Sequence, residues 1–208
     1  MDQPLRALLW DMDGTLVDSE PVHRRSFVDA ARICGLTLPG EFHTALIGKS
    51  EEAIHAILVA DHGLSLSLAH WSELRFAAYL ARIDEVHPFE IAADLWARAQ
   101  AAGLCQAIVS NAPALIVQAN LTRLGLAPGA VTTVSREDVR RGKPDPEPYQ
   151  LALARLGLPA AAAAVIEDSA AGLAAARAAG LGVYMMPGFA GPPGDWQPFA
   201  ALSQRLPG

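Results

Sequence analysis

Two carboxylates one residue apart, Asp11 and Asp13 in "LLWDMDGTLVDSEP" (Leu8–Pro21), close an apolar run and lead straight into a Gly-Thr step. Like charges that close repel each other. As turn formers at a strand end they would be ordinary, because Asp followed by Gly is common there. As working groups they would bind a cation and share chemistry. The stretch by itself fits both readings, so residues further along must decide. Ser110-Asn111 follows a second apolar run, Lys143 stands in "RRGKPDPEPY", and Glu167-Asp168 follows a third. Three carboxylates gathered within a few ångströms need a cation, and oxygen ligands without His or Cys point to Mg2+. A hydroxyl, a backbone N–H and a lysine ammonium suit the oxygens of a phosphoryl group. Metal and lysine together would let a carboxylate approach an anionic phosphorus. That combination reads as phosphoryl transfer through an aspartyl-phosphate.

Such a site needs elements that bring distant residues to one rim. Five short runs without polar alternation read as strands buried on both faces: Arg6–Trp10, Cys105–Ser110, Ala130–Ser135, Ala163–Glu167 and Leu181–Met186. Between the later runs lie helical stretches of crossover length, which stop at Gly103, Gly125, Gly157 and Gly180. Glycine takes the left-handed conformation that ends a helix at little energetic cost. Repeated strand, helix, glycine, strand predicts a doubly wound, Rossmann-like parallel sheet covered by helices, an α/β fold. In such sheets ligands bind outside the carboxyl ends of the strands, where the polar residues above collect.

The stretch between the first and second runs breaks this rhythm. It offers helices over Pro21–Cys34, Ser50–His62 and Leu68–Ile83 and no convincing strand. Residues 19–87 are therefore expected to form an inserted α-helical subdomain, with 1–18 and 88–208 as the α/β core. The tail is rich in Pro and Gly and is expected to be irregular before a last short helix.

Composition narrows the partners. A net charge of −6 argues against nucleic acid, which calls for a basic surface. The apolar stretches are broken by charge or glycine, so neither a membrane span nor a secretory signal is expected. Cys34 and Cys105 lie far apart without metal-ligand spacing and read as reduced structural thiols. The expectation is a cytoplasmic protein, a monomer or weak homodimer, whose partner is a small phosphorylated metabolite.

Taken in order, the motifs resemble the haloacid dehalogenase superfamily, whose pattern is Asp-x-Asp-x-Thr, then Ser or Thr, then Lys, then an acidic pair. "DMDGT" carries the first element, Ser110 the second, Lys143 in "GKPDPEPY" the third and "EDSAAG" the fourth. The insertion is similar to the family's smaller, helical type of cap. The resemblance implies that Asp11 is the nucleophile and a metal ligand. Asp13 would protonate the leaving oxygen and then activate water, while its backbone carbonyl binds Mg2+. Ser110 and the backbone N–H of Asn111 would hold phosphoryl oxygens, with Lys143 balancing charge. Asp168 would complete the metal site, Glu167 would help directly or through water, and Thr15 would order the loop around Asp13.

An aspartate at position 13 also favours phosphate esters, since members that cleave carbon–halogen or carbon–phosphorus bonds lack it. The implied activity is a Mg2+-dependent phosphatase acting on a small metabolite such as a sugar phosphate. The first rival is a β-phosphoglucomutase-like phosphomutase. Those enzymes carry an arginine, three residues after a cap-loop glycine, that grips a second phosphate. Here Glu51 stands at that place and is expected to repel one. The second rival is a phospho-receiver signalling domain, which is shorter and has no cap. Glu20, His23 and Lys49 are candidates for contacts from the cap. Each also has an ordinary reading, as an entrance residue, a hinge-helix residue and a solvated helix start.

Overall fold

The computed structural model describes residues 4–39, 42, 51–191, 194–204 and 206. The chain divides into two compact units, one formed by Met1–Asp18 with His87–Gly208 and the other by Ser19–Val86.

The first unit is built on a six-stranded sheet. Its strands are β1 (Ala7–Trp10), β4 (Cys105–Val109), β5 (Thr132–Val134), β6 (Ala163–Glu167), β7 (Gly182–Met185) and β8 (Trp196–Pro198), in the order β5-β4-β1-β6-β7-β8. Every pairing in it is parallel. The chain winds outward from β1 through β4 to β5, then returns to β1's other side through β6. The strand order therefore reverses at β1, and the crevice between β4 and β6 opens at its carboxyl end. The α/β fold expected from the sequence is the fold observed.

Both faces of the sheet are covered, which is why the strands lack polar alternation. Along β1 the side chains alternate. Ala7 and Leu9 join a cluster with Tyr149, Ala152 and Leu153 of α6 (Glu147–Leu156) and Leu173, Ala175 and Ala176 of α7 (Ala170–Ala178). Trp10 on the opposite face meets Trp96 of α4 (Glu90–Ala101), their ring centroids 5.6 Å apart. The remaining crossover helix is α5 (Ala114–Arg123). Gly103, Gly125, Gly157 and Gly180 all have positive φ, as their helix-stop reading requires.

Three strands were not expected. β2 (Val17–Asp18) and β3 (His87–Pro88) pair antiparallel where the chain leaves and re-enters this unit. β8 extends the sheet before the short helix α8 (Phe199–Ser203). Pieces of two or three residues are too short for any periodicity to register.

The second unit contains α1 (Glu20–Ile33), α2 (Glu51–His62) and α3 (Leu68–Leu80). Its core gathers Phe27, Ala30, Ala31, Ile54, Leu58, Leu64 and Trp71, with Phe27 and Trp71 edge to face at 5.3 Å. Arg82 donates through Nε and Nη2 to Asp29 at 2.8 and 2.7 Å and through Nη1 to Glu85 at 2.7 Å. These contacts tie the end of the unit to its first helix. Among the described residues no helix is long and apolar enough to cross a membrane.

Candidate active site

The residues singled out in the core converge on one rim. Asp11 follows β1, with its N–H donating to Ile166 of β6 at 3.0 Å. Lys143, in the loop leading to α6, is buried and donates from Nζ to Asp11 Oδ1 and to Glu167 Oε1, each at 2.6 Å. One ammonium thus bridges carboxylates from two adjacent strands. Asp11, Glu167 and Asp168 each offer an oxygen within 4.8 Å of the others.

Glu167 is fully buried and heavily engaged. Besides Lys143, its Oε1 accepts from the Tyr149 hydroxyl at 2.9 Å. Oε2 accepts from the backbone of Asp168 and Ser169, both at 3.1 Å, and from Ser169 Oγ at 2.9 Å. Ser169 is also the N-cap of α7, taking Gly172 N–H at 3.0 Å. Five accepted bonds leave this carboxylate few lone pairs for a cation and fix it as the frame on which Lys143 and Asp168 sit. The Tyr149 ring lies 5.0 Å below the Lys143 ammonium and adds a cation–π contact.

Around Asp13 the chain turns sharply, with Met12 C=O accepting from the N–H groups of Thr15, Leu16 and Val17. Gly14 has φ 82°, and a Cβ there would stand 2.1 Å from Asp168 Oδ2, so glycine is required on both counts. Thr15 Oγ1 lies 3.5 Å from Asp168 Oδ1. Ser110 Oγ stands 3.5 Å from Asp13 Oδ2 and accepts the Ala112 N–H at 3.0 Å. The Asn111 side chain clasps the Lys143 backbone: Lys143 N–H donates to Oδ1 at 2.8 Å and Nδ2 donates to Lys143 C=O at 3.0 Å. Asn111 therefore sets the lysine loop in place with its side chain.

The electrostatics fit a divalent cation. Three carboxylates face one ammonium, so the cluster carries excess negative charge in a dry place. Burial, then the neighbouring Glu167, raise the Asp11 carboxyl well above its ordinary range despite Lys143. The same two causes push Asp168 up to about 7. Burial opposes the charge on Lys143, yet Asp11 and Glu167 outweigh it and its pKa is raised. An all-oxygen donor set with surplus negative charge is what a hard divalent ion requires.

The cap candidates lie in the helical unit. Glu20 opens α1 and is exposed. His23 stacks on Tyr79 with centroids 4.5 Å apart. Lys49 lies outside the described residues. Glu51 requires a correction. Arg75 grips it through Nε at 3.0 Å and Nη2 at 2.7 Å, so its charge is already met and gives no ground for repelling a phosphate.

Sequence reasoning gave no role to Tyr149, Asn120 or Gly172. Tyr149 stood inside a quoted motif, and Asn120 is a polar residue on an apolar helix stripe. Gly172 closed the quoted "EDSAAG" without a role of its own, because the reason for it is the neighbouring Glu167 side chain.

With this geometry in view, the comparisons agree with one another. The haloacid dehalogenase-like hydrolase pattern matches residues 5–180, and the chain belongs to that family. It is 34% identical over 194 residues to the protein CbbY of Rhodobacter capsulatus, covering 88% of this chain and 86% of that one. It is 33% identical over 183 residues to hexitol phosphatase A of Escherichia coli, covering 84% and 80%. The crystal structure of CbbY from Rhodobacter sphaeroides in complex with phosphate superposes with a TM-score of 0.82 at 29% identity, over 90% of this chain and 91% of that one.

Proposed function

We propose that this chain is a Mg2+-dependent phosphatase of a small phosphorylated metabolite, a sugar phosphate by class, working through an aspartyl-phosphate on Asp11. The observation that carries the reading is the Lys143 ammonium at 2.6 Å from both Asp11 and Glu167, with Asp168 beside them. Relatives named as phosphatases of phosphorylated carbohydrates and of hexitols support the substrate class.

In this reading Asp11 attacks phosphorus, the phosphorus–oxygen ester bond breaks, and Asp13 gives its proton to the departing oxygen. Water then attacks the aspartyl-phosphate, Asp13 takes a proton from it, and phosphate leaves with Asp11 restored. Ser110 and the Asn111 N–H hold phosphoryl oxygens, and Lys143 keeps Asp11 oriented and offsets charge. Asp11, Asp168 and the Asp13 carbonyl would hold Mg2+, which would supply positive charge to the phosphoryl oxygens when bound. The helical unit serves as the cap that selects substrate and excludes water.

The test is a phosphate-release screen over phosphorylated metabolites, with Mg2+ and with EDTA, that also follows isomer formation on each sugar phosphate. We expect phosphate release with Mg2+, its loss in EDTA and its loss in Asp11→Asn. Full turnover by Asp11→Asn would remove the nucleophile assignment, and isomer formation without net phosphate release would make the enzyme a mutase.

A further inference from the structure

Asn120 lies in the middle of α5, where the buried positions are Ile116, Val117, Asn120 and Leu121. That spacing is an apolar stripe facing the core, and Asn120 occupies it while fully buried. Asparagine is a weak helix former and is seldom buried without a task. Its amide reaches across 107 residues of sequence to the loop after β1. Nδ2 donates to Asp13 Oδ1 at 3.3 Å and touches Met12 Sδ at 3.3 Å. A polar side chain in a core stripe, aimed at one oxygen of a working carboxyl group, breaks the local pattern where function would require it.

We propose that Asn120 is a positioning residue for Asp13, an inference that rests on the acid–base role given to Asp13 above. An amide N–H₂ can only donate, so it holds Oδ1 as an acceptor. The proton that Asp13 exchanges is then carried on Oδ2, which faces the Ser110 hydroxyl at 3.5 Å, a group that can accept as well as donate. In the first half-reaction Oδ2–H passes its proton to the ester oxygen as the phosphorus–oxygen bond breaks, and the leaving group departs as a neutral alcohol. In the second half-reaction Oδ2 takes a proton from water. Without the amide the carboxyl turns about its Cβ–Cγ bond, and the proton is delivered from the right place only part of the time.

Leaving-group dependence tests this, because an ester with an acidic leaving group needs little protonation and an alkyl ester needs it fully. We would measure kcat/KM, which covers the steps through formation of the aspartyl-phosphate, for 4-nitrophenyl phosphate, phenyl phosphate and glycerol 1-phosphate with Mg2+. Asp13→Asn should lose progressively more activity along that series. Asn120→Leu should follow the same trend more weakly. It should fall about 10-fold on the poor leaving groups, a part of the ~10²–10⁴ that general acid–base help supplies, and by a much smaller factor on 4-nitrophenyl phosphate. Equal losses on all three esters, or no loss, overturn the assignment of Asn120 while leaving Asp13 its role. A flat profile for Asp13→Asn overturns the acid–base reading itself, and the role of Asn120 with it. If Asn120→Leu does not fold, Asn120→Ala, which also lacks the donor, is judged by the same trend.

Discussion

Replacing Lys143 by Met removes a charge while keeping the length of the side chain. The Lys143 side chain is 4% exposed and its ammonium holds Asp11 Oδ1 and Glu167 Oε1 at 2.6 Å each, so the variant buries two facing carboxylates with no cation between them. Breaking a buried ion pair by deleting one partner costs about 3–5 kcal/mol, mostly because the survivor is left desolvated and unpaired. In a chain of this length each kcal/mol moves Tm by about 2–4 °C, so the metal-free variant should melt roughly 6–20 °C below the parent. The pH dependence gives the sharper check. Asp11 already has a folded pKa above its unfolded value, and a carboxyl raised in this way stabilises the fold less as pH rises between the two. Without Lys143 the shift grows, so the deficit should be largest at alkaline pH. It should shrink as Asp11 takes up its proton, since the parent's buried ammonium then loses the charge on that partner. Thermal denaturation followed by circular dichroism in EDTA, across the range from about pH 5 to about pH 8, reads both effects. A variant with the parent's Tm, or a deficit that does not change with pH, would refute the buried-bridge argument.

Other outcomes follow from the same site. Asp168 is raised to about 7, so in EDTA the parent should lose stability as pH climbs from the ordinary carboxylate range through about 7, because the folded state holds that proton more tightly. A metal needs the ionised carboxylate, so the rise in Tm on adding Mg2+ should be larger at about pH 8 than at about pH 6; the opposite order in a fluorimetric melt would exclude Asp168 as a ligand. Gly172→Ala, which inside a helix normally adds about 0.5–1 kcal/mol of stability, should here destabilise by about 1–3 kcal/mol and abolish most activity. Its Cβ would stand 1.7 Å from Glu167 Oε1, and Glu167 cannot move without giving up its five partners. Equal or higher Tm with normal phosphate release would show that the cradle yields easily.

What was legible in the sequence is what local chemistry imposes. β1, β4 and β6 are largely apolar because helices cover both faces, so they stand out as runs, and a polar residue at or just after the end of such a run is conspicuous. Asp11, Ser110 and Asp168 were found for that reason. β2, β3 and β8 were missed because their existence depends on a partner strand and not on their own two or three residues. The charge on Glu51 was misread for a related reason, since Arg75, 24 positions away, neutralises it. Tyr149 and Asn120 act through neighbours 18 and 107 positions distant, and no spacing rule reaches across a strand crossover.

The glycines carry this point furthest. Gly14, Gly142 and Gly172 each adjoin a motif residue, and in sequence each reads as a turn former or an indifferent helix position. In the fold a Cβ at these three places would meet Asp168 Oδ2 at 2.1 Å, Asn111 Oδ1 at 2.5 Å and Glu167 Oε1 at 1.7 Å. Asp168, Asn111 and Glu167 are thus each seated against backbone from which a side chain has been left out. Gly14 alone announces itself through its positive φ; Gly142 and Gly172 have ordinary backbone angles that any residue could adopt. Their requirement is spatial. It follows that the site's tolerance to substitution is set by volume as much as by charge, and that a methyl group at Gly142 or Gly172 should disturb the Lys143 and Glu167 frame without touching a single ionisable group.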